Sequence, residues 1–225
     1  MAGSGGVCLT FDDYSVQDWL AADPMLARYG ARATYFVSHF PGLGEDAVAG
    51  LHALARRGNE IGCHSVNHLN ALAFLETGSV DGYLAAEVFP AVERMRAARL
   101  EPVSYCYPFN AHNDILDGAL SPYFRVLRGR ADAPVTPFHP VSGNRVLAAS
   151  SIDLHVQNVT IPRTLTDIEA ELRAARDSGR VVVYYGHRIS NQPVAHHHIS
   201  LWGLEYLVHT AATLGLTFHT ASELA

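Results

Sequence analysis

The sequence predicts one parallel α/β domain, residues 1–225, with its strands closed into a (β/α) barrel. Three observations carry that expectation. Short apolar runs alternate with longer amphipathic ones over most of the chain, the pattern of repeated strand–helix units. The apolar runs are near-continuous, as strands covered on both faces must be. The number of units in 225 residues favours closure over an open doubly wound sheet, and no Gly-rich phosphate loop follows the first run, which leaves a nucleotide-binding fold without support.

Residues 7–11 read as the first strand and 16–29 as a helix stopped by Gly30. Ala33–Val37, β-branched and aromatic, is the second strand, and 45–57 a helix ended by Gly58. Glu60–Cys63 is a short strand, 80–98 has apolar residues at helical spacing, and 103–107 is a strand closed by Pro108. The stretch 128–158, rich in Pro, Gly, Ser and His, gives no clear elements. Order returns with Leu165–Ser178 as a helix, 181–185 as a fully apolar strand, 199–214 as a helix and 217–220 as a last strand.

Composition narrows the function. Hydrophobic residues make up 48% of the chain, enough for one sizeable core. A net charge of −6 with no run of Lys or Arg lacks the electrostatic footprint of a nucleic-acid binder. The longest apolar stretches fall short of the roughly 20 residues that cross a bilayer. No charged leader with an apolar centre precedes the first strand, so 1–6 reads as a short native start or the remnant of a removed leader. The odd count of three cysteines leaves at least one thiol free. Cys8, Cys63 and Cys106 lie beside apolar strand patterns and are expected as reduced core thiols. Thirteen histidines is high, and several close apolar runs, where metal or proton chemistry is usually placed.

In a parallel α/β barrel the chemistry sits at the carboxyl ends of the strands. The first strand ends Thr10-Phe11-Asp12-Asp13, and adjacent carboxylates point in different directions, so one can bind an ion while the other faces its water; a helix cap is the plain alternative. The third ends His64-Ser65-Val66-Asn67-His68, two imidazoles four apart that converge on one ion if the segment turns tightly; a chance surface pair or a cap is the plain alternative. With Asp13 they make a ligand set suited to zinc, and nearly as well to cobalt, nickel or iron. The fourth ends Cys106-Tyr107-Pro108-Phe109-Asn110, which by itself reads as a Pro-punctuated strand end with buried aromatics. His187 follows the late strand after Gly186, placed either as a general acid or as a core histidine.

These residues carry a family resemblance. Thr10–Asp13 resembles the first motif of the polysaccharide deacetylase family (NodB homology, carbohydrate esterase family 4), and Asn59-Glu60-Ile61-Gly62-Cys63-His64-Ser65-Val66-Asn67-His68 the second. Ala33–Val37 resembles the strand between them, Pro108-Phe109 part of the third motif, and His187 the histidine of the fifth. The resemblance implies a deformed (β/α) barrel hydrolase holding one divalent ion, zinc foremost, through Asp13, His64 and His68. It implies Asp12 as general base, His187 as general acid and the Phe109 backbone N–H as an oxyanion donor, with Tyr107 beside it. The implied substrate is an acetylated glycan such as chitin oligosaccharide, peptidoglycan or acetylated xylan, losing an N- or O-acetyl group. The implied address is extracytoplasmic.

The chain departs from the pattern in places. Tyr14 stands where the family has Gly, and Cys106 where it has an Arg that pairs with the base; Arg128 is the cation expected to replace it. Tyr184 replaces a Leu and Arg188 an acid, leaving Asp153 as a candidate partner for His187 against a plain turn Asp. His196-His197-His198 lies in the loop after His187, to touch substrate, catch a second ion or simply be solvated. Tyr14, Trp19 and Trp202 are candidates to stack on sugar rings or to sit in the core. Two rivals stand beside the deacetylase: a relative that opens a cyclic amide or removes a formyl group, and a glycan-binding protein that has lost turnover.

Overall fold

The computed structural model describes residues 5–130, 138–140, 145–153, 164–191 and 197–225. Among these residues there are eleven strands: β1 (Gly6–Asp13), β2 (Ala33–Val37), β3 (Glu60–Cys63), β4 (Ser104–Cys106), β5 (Val126–Arg130), β6 (Phe138–His139), β7 (Val146–Ser151), β8 (Val181–Gly186), β9 (Arg188–Ile189), β10 (His198–Ile199) and β11 (Thr217–His219). Parallel pairing runs β1-β2-β3-β4-β5-β7-β8 and returns from β8 to β1, closing a barrel of seven strands. β11 continues the sheet beside the start of β1, and β6 adds an antiparallel pair to β8. β9 and β10 form a small separate ribbon beyond the mouth.

The period-2 alternation of a strand assigns each β1 side chain to one of two cores. Cys8 packs with Phe36, Cys106, Val126, Leu147, Ala149, Val181 and Val183 inside the barrel, plugged by Ala221 and Leu224 of the terminal 3-10 turn Ala221–Leu224. Val7, Leu9 and Phe11 face outward into the larger core under the helices Val16–Arg28, Glu45–Arg56, Leu165–Ser178 and Leu201–Thr213. Phase alone therefore sends Asp12 inward and Asp13 to the rim, and Asp12 is buried while Asp13 is half-exposed.

The expected helices and strands appear within a residue or two of their predicted limits, with three differences. The helical pattern 80–98 is interrupted by a π turn at Leu84–Val88. Pro90 has no N–H to return to the helix, and the ladder widens just before it. The pattern 199–214 begins one element later, Ile199 belonging to β10 and the helix to Leu201–Thr213. The unassigned middle supplies two barrel strands, β5 and β7, carrying Arg128 and leading to Asp153. No described helix is long and apolar enough to cross a membrane.

Candidate active site

Left-handed backbone at residues other than glycine concentrates at the strand ends. Asp13 (φ 81), His39 (52), Ser65 (65), His68 (58), Phe109 (57), Asn110 (56) and His197 (47) all lie at or near them, and among the described residues only Arg99 lies elsewhere. Such conformations cost energy and persist where surrounding structure enforces them, which makes this mouth the candidate functional face.

The candidate ion-binding side is built by β1 and β3. His64 Nε2 lies 3.1 Å from His68 Nε2 and 3.8 Å from Asp13 Oδ1, and His68 Nε2 lies 3.4 Å from that oxygen. Donors bound tetrahedrally at zinc–nitrogen distances sit about 3.3 Å apart, so the three atoms fit one divalent ion. Two supports hold them. His64 Nδ1 donates to the Cys106 carbonyl at 2.8 Å, which leaves Nε2 with its lone pair toward Asp13 and His68. Burial pushes the His64 pKa down to about 4, against the pull of Asp12, so the imidazole is neutral, as a metal ligand must be.

The second support is Glu87, which sequence reasoning missed. It is buried in the π turn, and its carboxylate accepts from Asn67 N (2.9 Å) and Asn67 Nδ2 (2.7 Å), while its carbonyl accepts from Val66 N (3.0 Å). Three hydrogen bonds clamp the loop between the two histidines. The signal for it was Pro90 inside a helical pattern, since π turns often serve functional sites.

Asp12 stands behind this set, inside the barrel. Arg128, fully buried, forms an ion pair through Nη2 with Asp12 Oδ2 and a hydrogen bond through Nη1 to Asn110 Oδ1. Its guanidinium lies over the Tyr185 ring at 4.9 Å and the Phe36 ring at 5.5 Å. Arg128 is the in-register neighbour of Cys106 on the adjoining strand, so a cation from β5 fills space beside a small residue on β4. The Cys106 thiol also points at Asp12 Oδ2, 3.9 Å away. Burial raises the Asp12 pKa, but Arg128, His64 and His187 outweigh it and hold the carboxyl below its ordinary value. Asp12 is an anion at neutral pH, and its Oδ1 is buried with no partner among the described residues.

On the opposite side His187 Nδ1 donates to Asp153 Oδ2 at 2.6 Å, and its backbone N–H donates to Asp153 Oδ1 at 3.2 Å. The close approach needs Gly186: a Cβ there would stand 3.2 Å from Asp153 Oδ1. The Trp19 indole donates to the His187 carbonyl at 2.9 Å. Burial disfavours a charged imidazole, yet the hydrogen bond and charge of Asp153 prevail and raise the His187 pKa to about 9.

Other sequence-predicted residues divide. Phe109 is exposed, its ring 4.8 Å from that of His68. Tyr14 is exposed and meets the His39 ring edge-on at 5.4 Å, and His39 lies 6.4 Å from His68. Tyr107 does not present its side chain to the cleft: it is buried, stacked on His112, with its hydroxyl donating to Asp117 at 2.7 Å. Tyr184 is buried too, its hydroxyl donating to Glu171. Trp19 is a core residue stacked on Tyr35, whereas Trp202 is exposed. Arg188 pairs with Asp18. His197 stands 5.0 Å from the His187 ring, His198 is buried in β10, and His196 lies outside the described residues.

Residues 2–121, more than half of the chain, match the model of the family described as polysaccharide deacetylase. The chain belongs to that family. No curated protein matches it. Among solved structures, the carbohydrate esterase family 4 domain of a multidomain xylanase from the hindgut metagenome of Trinervitermes trinervoides is similar at 16% identity and a TM-score of 0.64, covering 98% of this chain and 89% of that one. The peptidoglycan deacetylase PdaC of Bacillus subtilis is similar at 17% identity and 0.63, over 99% and 90%. A family 4 pseudoenzyme of Bacillus anthracis is similar at 13% identity and 0.65, over 100% and 66%. At such identities these likenesses establish the barrel. They include both a named deacetylase and a pseudoenzyme.

Proposed function

We propose that this polysaccharide deacetylase family member is a metal-dependent hydrolase that removes acetyl groups from a glycan. One observation carries the reading: a neutral imidazole pair and a carboxylate fit for one ion face two groups whose environments drive their proton affinities apart. Asp12 is held ionised by Arg128, and His187 is held protonated by Asp153. A divalent ion at Asp13, His64 and His68 supplies acidification of a water and polarisation of the acetyl carbonyl. Asp12 Oδ1, its other oxygen fixed by Arg128, accepts a proton from the attacking water. His187 delivers one to the departing amine or alcohol, and Asp153 stabilises the imidazole in both states. Left-handed Phe109 offers its backbone N–H and exposed ring, and exposed Tyr14 a second ring, as surfaces for oxyanion and sugar.

Zinc is the ion proposed first, and chitin oligosaccharide, peptidoglycan and acetylated xylan the substrates. The test is acetate release from these by protein loaded with one divalent ion per chain. Activity requiring the ion supports the reading. Glycan binding with no turnover, unchanged by Asp12→Asn, would leave a binding protein, a reading favoured by the inactive relative of the same fold.

A further inference from the structure

Away from Asp13, His64 and His68, the other side of the mouth carries a second convergent set. Asp153, His187 and His197 each bring one ligand atom to within 4.8 Å of the others. His197 comes from a separate segment and holds φ 47, a conformation costly for a residue with a side chain. The β9–β10 ribbon fixes it there: Arg188 N–H donates to the His197 carbonyl at 3.2 Å, and His198 pairs with Arg188. The His197 ring sits 5.0 Å from that of His187, and its Nδ1 lies 4.0 Å from Asp153 Oδ2. The Asp153 side chain is 1% exposed, His187 18% and His197 54%, so the set opens to solvent mainly at His197.

We propose that Asp153, His187 and His197 form a second, weaker site for a divalent transition-metal ion such as zinc, and that filling it stops turnover. Two imidazoles and one carboxylate are a donor set that zinc accepts. An ion entering there displaces the proton shared by His187 and Asp153, and those two atoms, 2.6 Å apart, must separate to about the 3.3 Å that donors on one ion require. The Asp13–His64–His68 set needs far less rearrangement, which ranks the two affinities. Occupancy of the second site removes His187 from proton delivery. The binding half of this proposal stands alone; the inhibitory half rests on the reading of His187 as the acid.

The experiment dialyses the full metal-free chain against rising zinc and measures bound zinc together with acetate release. Wild type is expected to take one ion, then a second at clearly higher concentration, with activity falling at least ~10-fold as the second loads, a loss typical of disturbing one metal-site partner. His197→Asn keeps a residue tolerant of left-handed backbone but removes the imidazole. That variant is expected to keep the first ion, lose the second, and hold its own one-ion activity within about twofold as zinc rises. Asp13→Ala is expected to lose the first ion and keep the second. Wild type that stops at one ion up to about 1 mM zinc, weaker than structural zinc sites by many orders, overturns the site. So does a folded His197→Asn that still takes two ions. Second-site loading with undiminished activity overturns the switch and the acid role of His187 with it, while an inactive one-ion wild type tells against the deacetylase reading alone.

Discussion

His64 and His187 face each other across one mouth and are held in opposite charge states. Each donates from Nδ1. His64 meets a backbone carbonyl, which orients the ring but adds no full charge, and burial then pushes its pKa down to about 4. His187 meets the Asp153 carboxylate, whose charge and hydrogen bond overcome the burial and raise it to about 9. One neutral imidazole can take an ion; one protonated imidazole can give up a proton. The atom opposite Nδ1, more than burial, sets the role.

Deleting the neutral side is the largest break. His64→Ala with His68→Ala should abolish the tight ion, the one bound at low zinc, and bring turnover to background, while the His187 titration near 9 persists. Metal analysis at low zinc and imidazole NMR check both halves; a variant that still holds one ion per chain at the concentration that fills only the tight site of wild type refutes the ligand set.

Arg128→Ala comes next, because it strands the buried Asp12 carboxylate. Removing one partner of a buried ion pair costs about 3–5 kcal/mol, readable by urea unfolding. Since residues 106 and 128 are register neighbours, Cys106→Arg in the same chain should recover part of that loss. No recovery would mean that only the β5 position serves Asp12. Asp12→Asn should keep the ion and lower turnover at least ~10²-fold. Full activity there would move the base elsewhere.

A smaller and more selective effect belongs to His187→Ala. An amine leaving group needs protonation and an activated aryl alcohol scarcely does, so loss on an N-acetyl substrate should reach about 10²-fold and exceed the loss on an aryl acetate. Equal losses would reduce His187 to a positioning residue.

The two sides also differ in how legible they were. Asp13, His64 and His68 lie at the ends of strands whose apolar runs are unmistakable, and local spacing announced the set. Asp12's inward turn follows from alternation along β1. Asp153 and Arg128 depend on β5 and β7, which hold only a few apolar residues between Pro, Gly and Ser, so periodicity could not register them. Arg128 was reached by the need for a cation. Glu87 and His39 escaped because their placement rests on a π turn and a left-handed residue, neither of which has a periodic signature.

The finest test of the comparison replaces only the atom opposite Nδ1. Asp153→Asn offers His187 an amide of the same shape in place of a carboxylate, making its surroundings resemble those of His64. The His187 pKa should then fall from about 9 to below the ordinary 6.5, because burial remains and its counterweight is gone. The sign of the stability effect follows. A pKa raised by folding contributes stability that is fully present below the unfolded value near 6.5 and is lost as pH rises through about 9. Wild type should therefore lose stability between about pH 6.5 and 9 with a slope that Asp153→Asn lacks, and the basic limb of its pH–rate profile should move to lower pH. Unfolding midpoints across that window, with the imidazole followed by NMR, measure both shifts. If the His187 pKa stays near 9 in a folded Asp153→Asn protein, some other carboxylate holds the proton. The difference between the two histidines would then lie in the field of the whole mouth, with Asp12 and Asp13 the nearest sources.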